Sequence, residues 1–147
     1  MSIAALPNQV ITRLRGQCAL FSNRVAGTAA EVRASEQTEF PVPHAFFMPG
    51  GIEPGDGEEI SPLDQHLLVR FRVMIAVDNS TDERGQAGAT GLLTAAKAVV
   101  TALVGWTPDA TKFSPVLFDG LEDSFDSGRA RLWGTVSFRT STTTSNL

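Results

Sequence analysis

The chain has 147 residues, 42% hydrophobic and 19% charged, which predicts one soluble globular domain with a sizeable core and excludes overall disorder. Its 12 basic and 16 acidic residues leave a net charge of −4, so wrapping of a nucleic-acid backbone through clustered Lys and Arg is not expected. The single cysteine, Cys18, excludes an internal disulfide and fits a reducing compartment; no apolar run approaches the ~20 residues of a membrane span, and the start lacks the basic-then-apolar pattern of a secretion signal.

Residues 6–14 place Leu6, Val10, Ile11 and Leu14 at helical spacing, and Pro7 suits a first turn, where its missing amide hydrogen would be unpaired anyway. An amphipathic helix is predicted there, running towards Cys18, which reads as a small apolar residue on it. Over 19–38 the pattern weakens: Phe21, Val25 and Val32 are scattered among small and polar residues, and strand and short helix both remain open. Pro41 and Pro43 then lead into Ala45-Phe46-Phe47-Met48, a continuous apolar run that reads as a buried strand. Residues 49–62 are rich in glycine and proline, carry Glu53, Asp56, Glu58 and Glu59, and have little apolar beyond Ile52 and Ile60. They predict a mobile acidic loop joining two strands of one domain.

The strongest signal lies at 67–106. Val69, Phe71, Val73, Ile75 and Val77 recur with period two, with Arg70 and Arg72 on the opposite side, which predicts a strand with one core face. Ser80-Thr81-Asp82-Glu83 has the spacing of a capping box and predicts the start of a helix. Leu92, Ala96, Val99, Val100 and Leu103 form its apolar stripe, and Gly105 with Pro108 its stop. A last strand pair is predicted at 113–118 and 128–140, separated by a turn rich in Asp, Glu, Ser and Gly. Leu132, Val136 and Phe138 share one face, Trp133, Thr135 and Ser137 the other, and Gly134 marks a bulge or a close backbone approach. Residues 141–147, polar and without apolar alternation, read as a flexible tail.

These elements predict an α+β fold: a small mixed or antiparallel sheet of about four strands with two helices packed on one face. The other face would carry Arg70, Arg72, Arg131, Trp133 and Arg139, a composition that suits solvent or an interface rather than a core.

Catalytic patterns are sparse. His44 and His66 have no zinc-binding spacing and read as structural or solvent-facing; there is no Gly-x-Ser-x-Gly elbow and no second cysteine. Gly85, Gly88 and Gly91 are spaced three and three, unlike a dinucleotide or phosphate loop, and read as small residues near a helix start. The acidic groups Glu53 to Asp64 and Asp119, Glu122, Asp123 and Asp126 lack the alternation of a calcium loop and read as solvated charge or salt bridges to a neighbouring subunit. No cofactor and no metal is expected.

Three stretches carry a family resemblance. Phe71-Arg72-Val73-Met74-Ile75-Ala76-Val77-Asp78-Asn79, with Asp82, Gly85 and the helix ending Ala102-Leu103-Val104-Gly105-Trp106-Thr107-Pro108, resembles the tail terminator proteins of long-tailed bacteriophages. Pro43-His44-Ala45-Phe46-Phe47-Met48-Pro49 resembles that family's proline-flanked first strand. Gly128-Arg129-Ala130-Arg131-Leu132-Trp133-Gly134-Thr135-Val136-Ser137-Phe138 resembles its last strand. The resemblance implies a non-enzymatic virion protein, assembled in the bacterial host cytoplasm, that forms a homo-oligomeric ring, usually a hexamer, on the head-proximal end of the tail tube. There it would stop tube growth and offer a surface to the head-tail connector or stopper protein, with DNA passing through the ring lumen and no sequence-specific nucleic-acid or membrane contact. A connector or stopper of the same neck region is the alternative within virion proteins, and a small-molecule-binding or enzymatic α+β domain the alternative outside them. The expected interface residues are Arg70, Arg72, Arg131, Trp133 and Arg139 on the sheet, facing Asp56, Glu58, Glu59, Glu122, Asp123 and Asp126 in loops.

Overall fold

The computed structural model describes residues 2–28, 41–55, 64–78, 86–126 and 131–147. Helix α1 (Leu6–Gln17) leads through a 3-10 turn (Ala19–Phe21) to the short strand β1 (Val25–Ala26). Strands β2 (His44–Pro54) and β3 (His66–Asp78), helix α2 (Gln86–Leu103), and strands β4 (Leu117–Asp126) and β5 (Arg131–Thr143) follow. The sheet has five strands in the order β1-β2-β3-β5-β4; β1 runs parallel to β2 and the other neighbours are antiparallel. The fold is therefore α+β with a mixed sheet, and the strand beyond the expected four is β1, whose two residues are too few to show a period.

Both described helices cover one face. Helix α2 lies over β3 and β5, and α1 packs against α2 and the β1–β2 side. The predicted stripes supply the contact: Leu6, Val10 and Leu14 of α1 and Leu92, Ala96, Val99 and Leu103 of α2 are buried in one cluster with Val69, Phe71, Val73, Ile75 and Val77. Four phenylalanines form a row across this inner face. Phe47, Phe71 and Phe138 stack with centroids 5.5 and 5.4 Å apart, and Phe118 meets Phe138 edge-on at 6.4 Å. Helix α2 stops where expected: Gly105 takes the left-handed conformation (φ +81), and its amide donates to Val116 O at 2.9 Å as the chain turns back towards the sheet. The predicted start at Ser80–Glu83 lies outside the described residues. Cys18 caps the end of α1, buried, with its thiol 3.5 Å from Ala98 O.

Three expectations are corrected. Residues 49–54, read as loop, are the second half of β2. The predicted strand at 113–118 lies further on, at Leu117–Asp126, so most of the supposed Asp- and Glu-rich turn is strand. Both errors share one cause. Gly50 and Asp119 are extra residues in β2 and β4, unpaired between Pro49 and Gly51 and between Phe118 and Gly120. A bulge of this kind shifts the inside-outside phase by one residue, so Phe47 and Ile52, or Phe118 and Leu121, lie on the helix side of the sheet although they break strict alternation; Phe47 is buried there, whereas Ile52 and Phe118 stay about half exposed at the margin. The two bulges sit at the same level of the sheet, either side of the Phe71–Phe138 pair.

The third correction concerns the C-terminus, where β5 runs on to Thr143 and is followed by a 3-10 turn (Thr144–Asn146). Its inner positions are hydroxyls: Thr140 and Thr142 are buried, and each donates at 2.7 Å to a main-chain oxygen of the segment before β4, Ser114 O and Lys112 O respectively. Alternation persists there in β-branched polar residues whose burial depends on those acceptors. Asp64 ties down the final turn, accepting from Thr144 Oγ1 at 2.9 Å and from the Ser145 amide at 3.2 Å.

Candidate interface on the outer sheet face

The face away from the helices has an apolar end and a charged end. At the apolar end, Phe46 and Ala76 are fully buried and Trp133 is 8% exposed; His44 stacks on Phe46 at 4.3 Å, and Phe46 on Trp133 at 5.9 Å. Trp133, expected as an exposed interface residue, is thus packed within its own chain. Burial disfavours the charged form of His44, a hydrogen bond to the Pro41 carbonyl opposes this, and the positive Arg24 nearby adds to the effect of burial; the net effect pushes its pKa down.

At the charged end, Arg70 of β3 stands directly opposite Arg139 of β5. Two like charges in register repel, and an acid from each neighbouring strand offsets this. Asp119, the bulge residue of β4, accepts from Arg70 Nη1 at 2.9 Å on one oxygen and from Arg139 Nη1 at 2.7 Å on the other. Glu53, beyond the bulge of β2, accepts from Arg70 Nε at 2.7 Å. The result is a chain Glu53–Arg70–Asp119–Arg139 laid across four strands. Asp119 is its most enclosed member, with a side chain 14% exposed, and the Glu53 carboxylate raises the Arg70 pKa further above its ordinary value.

Arg72 differs from its neighbours. It is exposed, and among the described residues it has no carboxylate partner; its guanidinium donates to Pro49 O at 3.5 Å. It lines a groove of about 450 Å³ with Gly50, Arg70, Asp119 and Ser137, over the main chain at Phe71 and Phe138, whose rings point to the inner face. The two bulges border this hollow. Arg131 lies at the other end of the strands, 3.6 Å from Asp78 and with a side chain only 13% exposed.

The sequence thus brought Arg70, Arg72 and Arg139 to one face correctly, but the expected separation of arginines on the sheet from acids in loops is corrected. Glu53 and Asp119 sit among the arginines, and Glu122, Asp123 and Asp126 lie on β4 rather than in a turn. Glu122 is exposed; of Asp123 and Asp126 only the backbone is described, and Asp56, Glu58 and Glu59 lie outside the described residues. The roles of Glu53 and Asp119 as internal partners depend on the bulges, whose only trace in the sequence is Gly50-Gly51 and Asp119-Gly120. Among the described residues no group of His, Cys, Asp or Glu converges as a metal site would require.

Comparison with known proteins adds a family to this geometry. A solved structure described as the virion of a native gene transfer agent particle aligns with a TM-score of 0.62 at 17% identity, covering 95% of this chain and 97% of that one, which establishes a shared fold. A second solved structure aligns at a TM-score of 0.44 and 12% identity, covering 95% and 91% of the two chains, too distant to carry an argument. No curated protein sequence matches the chain. The family described as phage tail terminator protein matches residues 1–145, nearly the whole sequence, and the chain belongs to that family of structural virion proteins.

Proposed function

We propose that this protein forms a homo-oligomeric ring, a hexamer, on the head-proximal end of a phage tail tube, where it stops tube growth and presents the surface to which the head-tail connector binds. Family membership supports the role, and the charged end of the outer face offers a means of cohesion. The observation that carries the reading is the division of labour among the arginines. Arg70 and Arg139 are satisfied inside the chain by Glu53 and Asp119, whereas Arg72 stands beside a groove with no carboxylate partner among the described residues. An arginine fork takes a carboxylate through two parallel bonds and fixes register, so Arg72 is the side chain best placed to receive an acid from the next subunit or from the tube. A structural role is what membership of a family of virion proteins supports.

The test uses Arg72→Glu. The variant should fold and melt like the parent, since the side chain is exposed, yet give tails of abnormal length or without heads under electron microscopy. Mass measurement of the parent in solution should show a closed oligomer. A parent that stays monomeric on tube ends, or an Arg72→Glu protein that makes tails of normal length joined to heads, overturns the reading.

A further inference from the structure

The two edges of the sheet are built differently. On one side, β1 already pairs with Ala45 and Phe46, and the rest of β2 carries Pro49 and Pro54 around the Gly50 bulge. Ala45 donates outwards, to Arg24 O, and Gly55 inwards, to His66 O; following the ladder through the bulge puts Pro49 and Pro54 at outward-facing positions, where neither has an N–H to offer. That edge is closed to a further strand. On the other side, β4 runs from Leu117 to Asp126 without a proline, and among the described residues no strand pairs with its far side.

Edge strands are commonly blunted by charge, and beyond Asp119, which is already paired with Arg70 and Arg139, β4 carries Glu122, Asp123 and Asp126 with no Lys or Arg. Blunting alone leaves the apolar surroundings unexplained. Leu117 and Phe118 are 47% and 46% exposed at the start of the strand, and Leu93 of α2 is 60% exposed beside it. Between α2 and β4 runs a groove of about 280 Å³ lined by Ala89, Leu92, Leu93, Leu121 and Leu132. An open ladder flanked by a groove for alternate side chains is what strand addition requires: main-chain bonds supply affinity and the groove supplies specificity.

We propose that the β4 edge is a strand-addition site for an extended segment of a different protein of the particle, one with apolar side chains at alternate positions towards α2 and Lys or Arg on the other side. The charge of β4 selects the basic partner. A second copy of this chain fits poorly, because its β2 edge is closed by prolines, its β4 would set acid against acid, and every described strand is already paired in its own sheet. The site is independent of Arg72 and of the ring, and its test reads a different surface.

In the isolated protein the outward amides of β4 should exchange with solvent freely, and in assembled particles they should be protected by at least about tenfold. A photoreactive benzophenone residue in place of Glu122 should cross-link, in particles, to a peptide of another protein that bears basic residues in an extended stretch. Glu122→Lys and Leu93→Gln, both at exposed positions, should leave the melting of the isolated chain unchanged while each weakens that association about tenfold. Unprotected β4 amides in the particle, cross-linking to a second copy of this chain, or an acidic partner peptide would each overturn the proposal, whether or not Arg72→Glu affects the ring.

Discussion

Gly134 of β5 lies directly beneath Leu92 of α2: a Cβ built on the glycine would stand 2.6 Å from Leu92 Cδ1, closer than carbon atoms can approach. Leu92 is itself 4% exposed, so its side chain would have to shift towards the groove it lines between α2 and β4. Gly134→Ala should therefore destabilise the protein by about 1–3 kcal/mol through overpacking. Leu92→Ala should cost about 2–5 kcal/mol through the cavity it leaves. Because each change removes the other's cause, the double variant should cost clearly less than the sum, as urea denaturation of the four proteins would measure. Additive losses would mean that helix and strand do not meet at this point.

Asp119 keeps Arg70 and Arg139 compatible at opposed positions. Asp119→Asn retains the shape but removes the negative charge, and should cost about 1 kcal/mol at low salt, discounted for the exposure of both arginines. The repulsion it unmasks is screened by ions, so the deficit should shrink in about 1 M salt. Denaturant midpoints of parent and variant at both ionic strengths give the answer, and a deficit that does not respond to salt would point to lost packing instead.

Asp64 holds the C-terminal turn, and the hydroxyl of Thr144, then the Ser145 amide and hydroxyl, draw its pKa below the ordinary carboxylate value. A depressed carboxylate contributes its stabilisation above its unfolded pKa, roughly 4, and loses it as the pH falls through the lower folded value. The Ser145 amide resonance should hold its position from neutral pH down to about 4, the ordinary carboxylate value, and move only below it as Asp64 takes up a proton. Asp64→Ala should abolish that titration and release the turn. A Ser145 signal that ignores both acid and the substitution would remove Asp64 from this role.

Burial pushes the Cys18 thiol up, against a smaller opposing pull from Arg13, and its sulfur is enclosed between α1 and α2. The thiolate is the reactive form, so the native protein should resist thiol reagents at neutral pH. Labelling should follow the denaturation curve measured by circular dichroism. Rapid labelling of the native state would show that α1 opens locally.

The local signals sufficed wherever one residue's environment was set by its nearest neighbours in sequence. The period of two through Val69, Phe71, Val73, Ile75 and Val77, the stripe from Leu92 to Leu103 and the Gly105 stop specified β3, α2 and the face they share, because burial on one side forces those periods. They also put Arg70, Arg72 and Arg139 on the opposite face. What only the tertiary structure decided was everything that depends on a neighbouring strand. An inserted residue such as Gly50 or Asp119 is invisible as a bulge until its partner's register is known, and it reverses the phase of all that follows, which is why 49–54 and 119–126 read as loop. For the same reason the sequence could not pair Asp119 with Arg139, bury Thr140 and Thr142, or cover Trp133 with Phe46 on the outer face. Those side chains are satisfied by partners many residues away, and it is the closure of the sheet that brings the partners within reach.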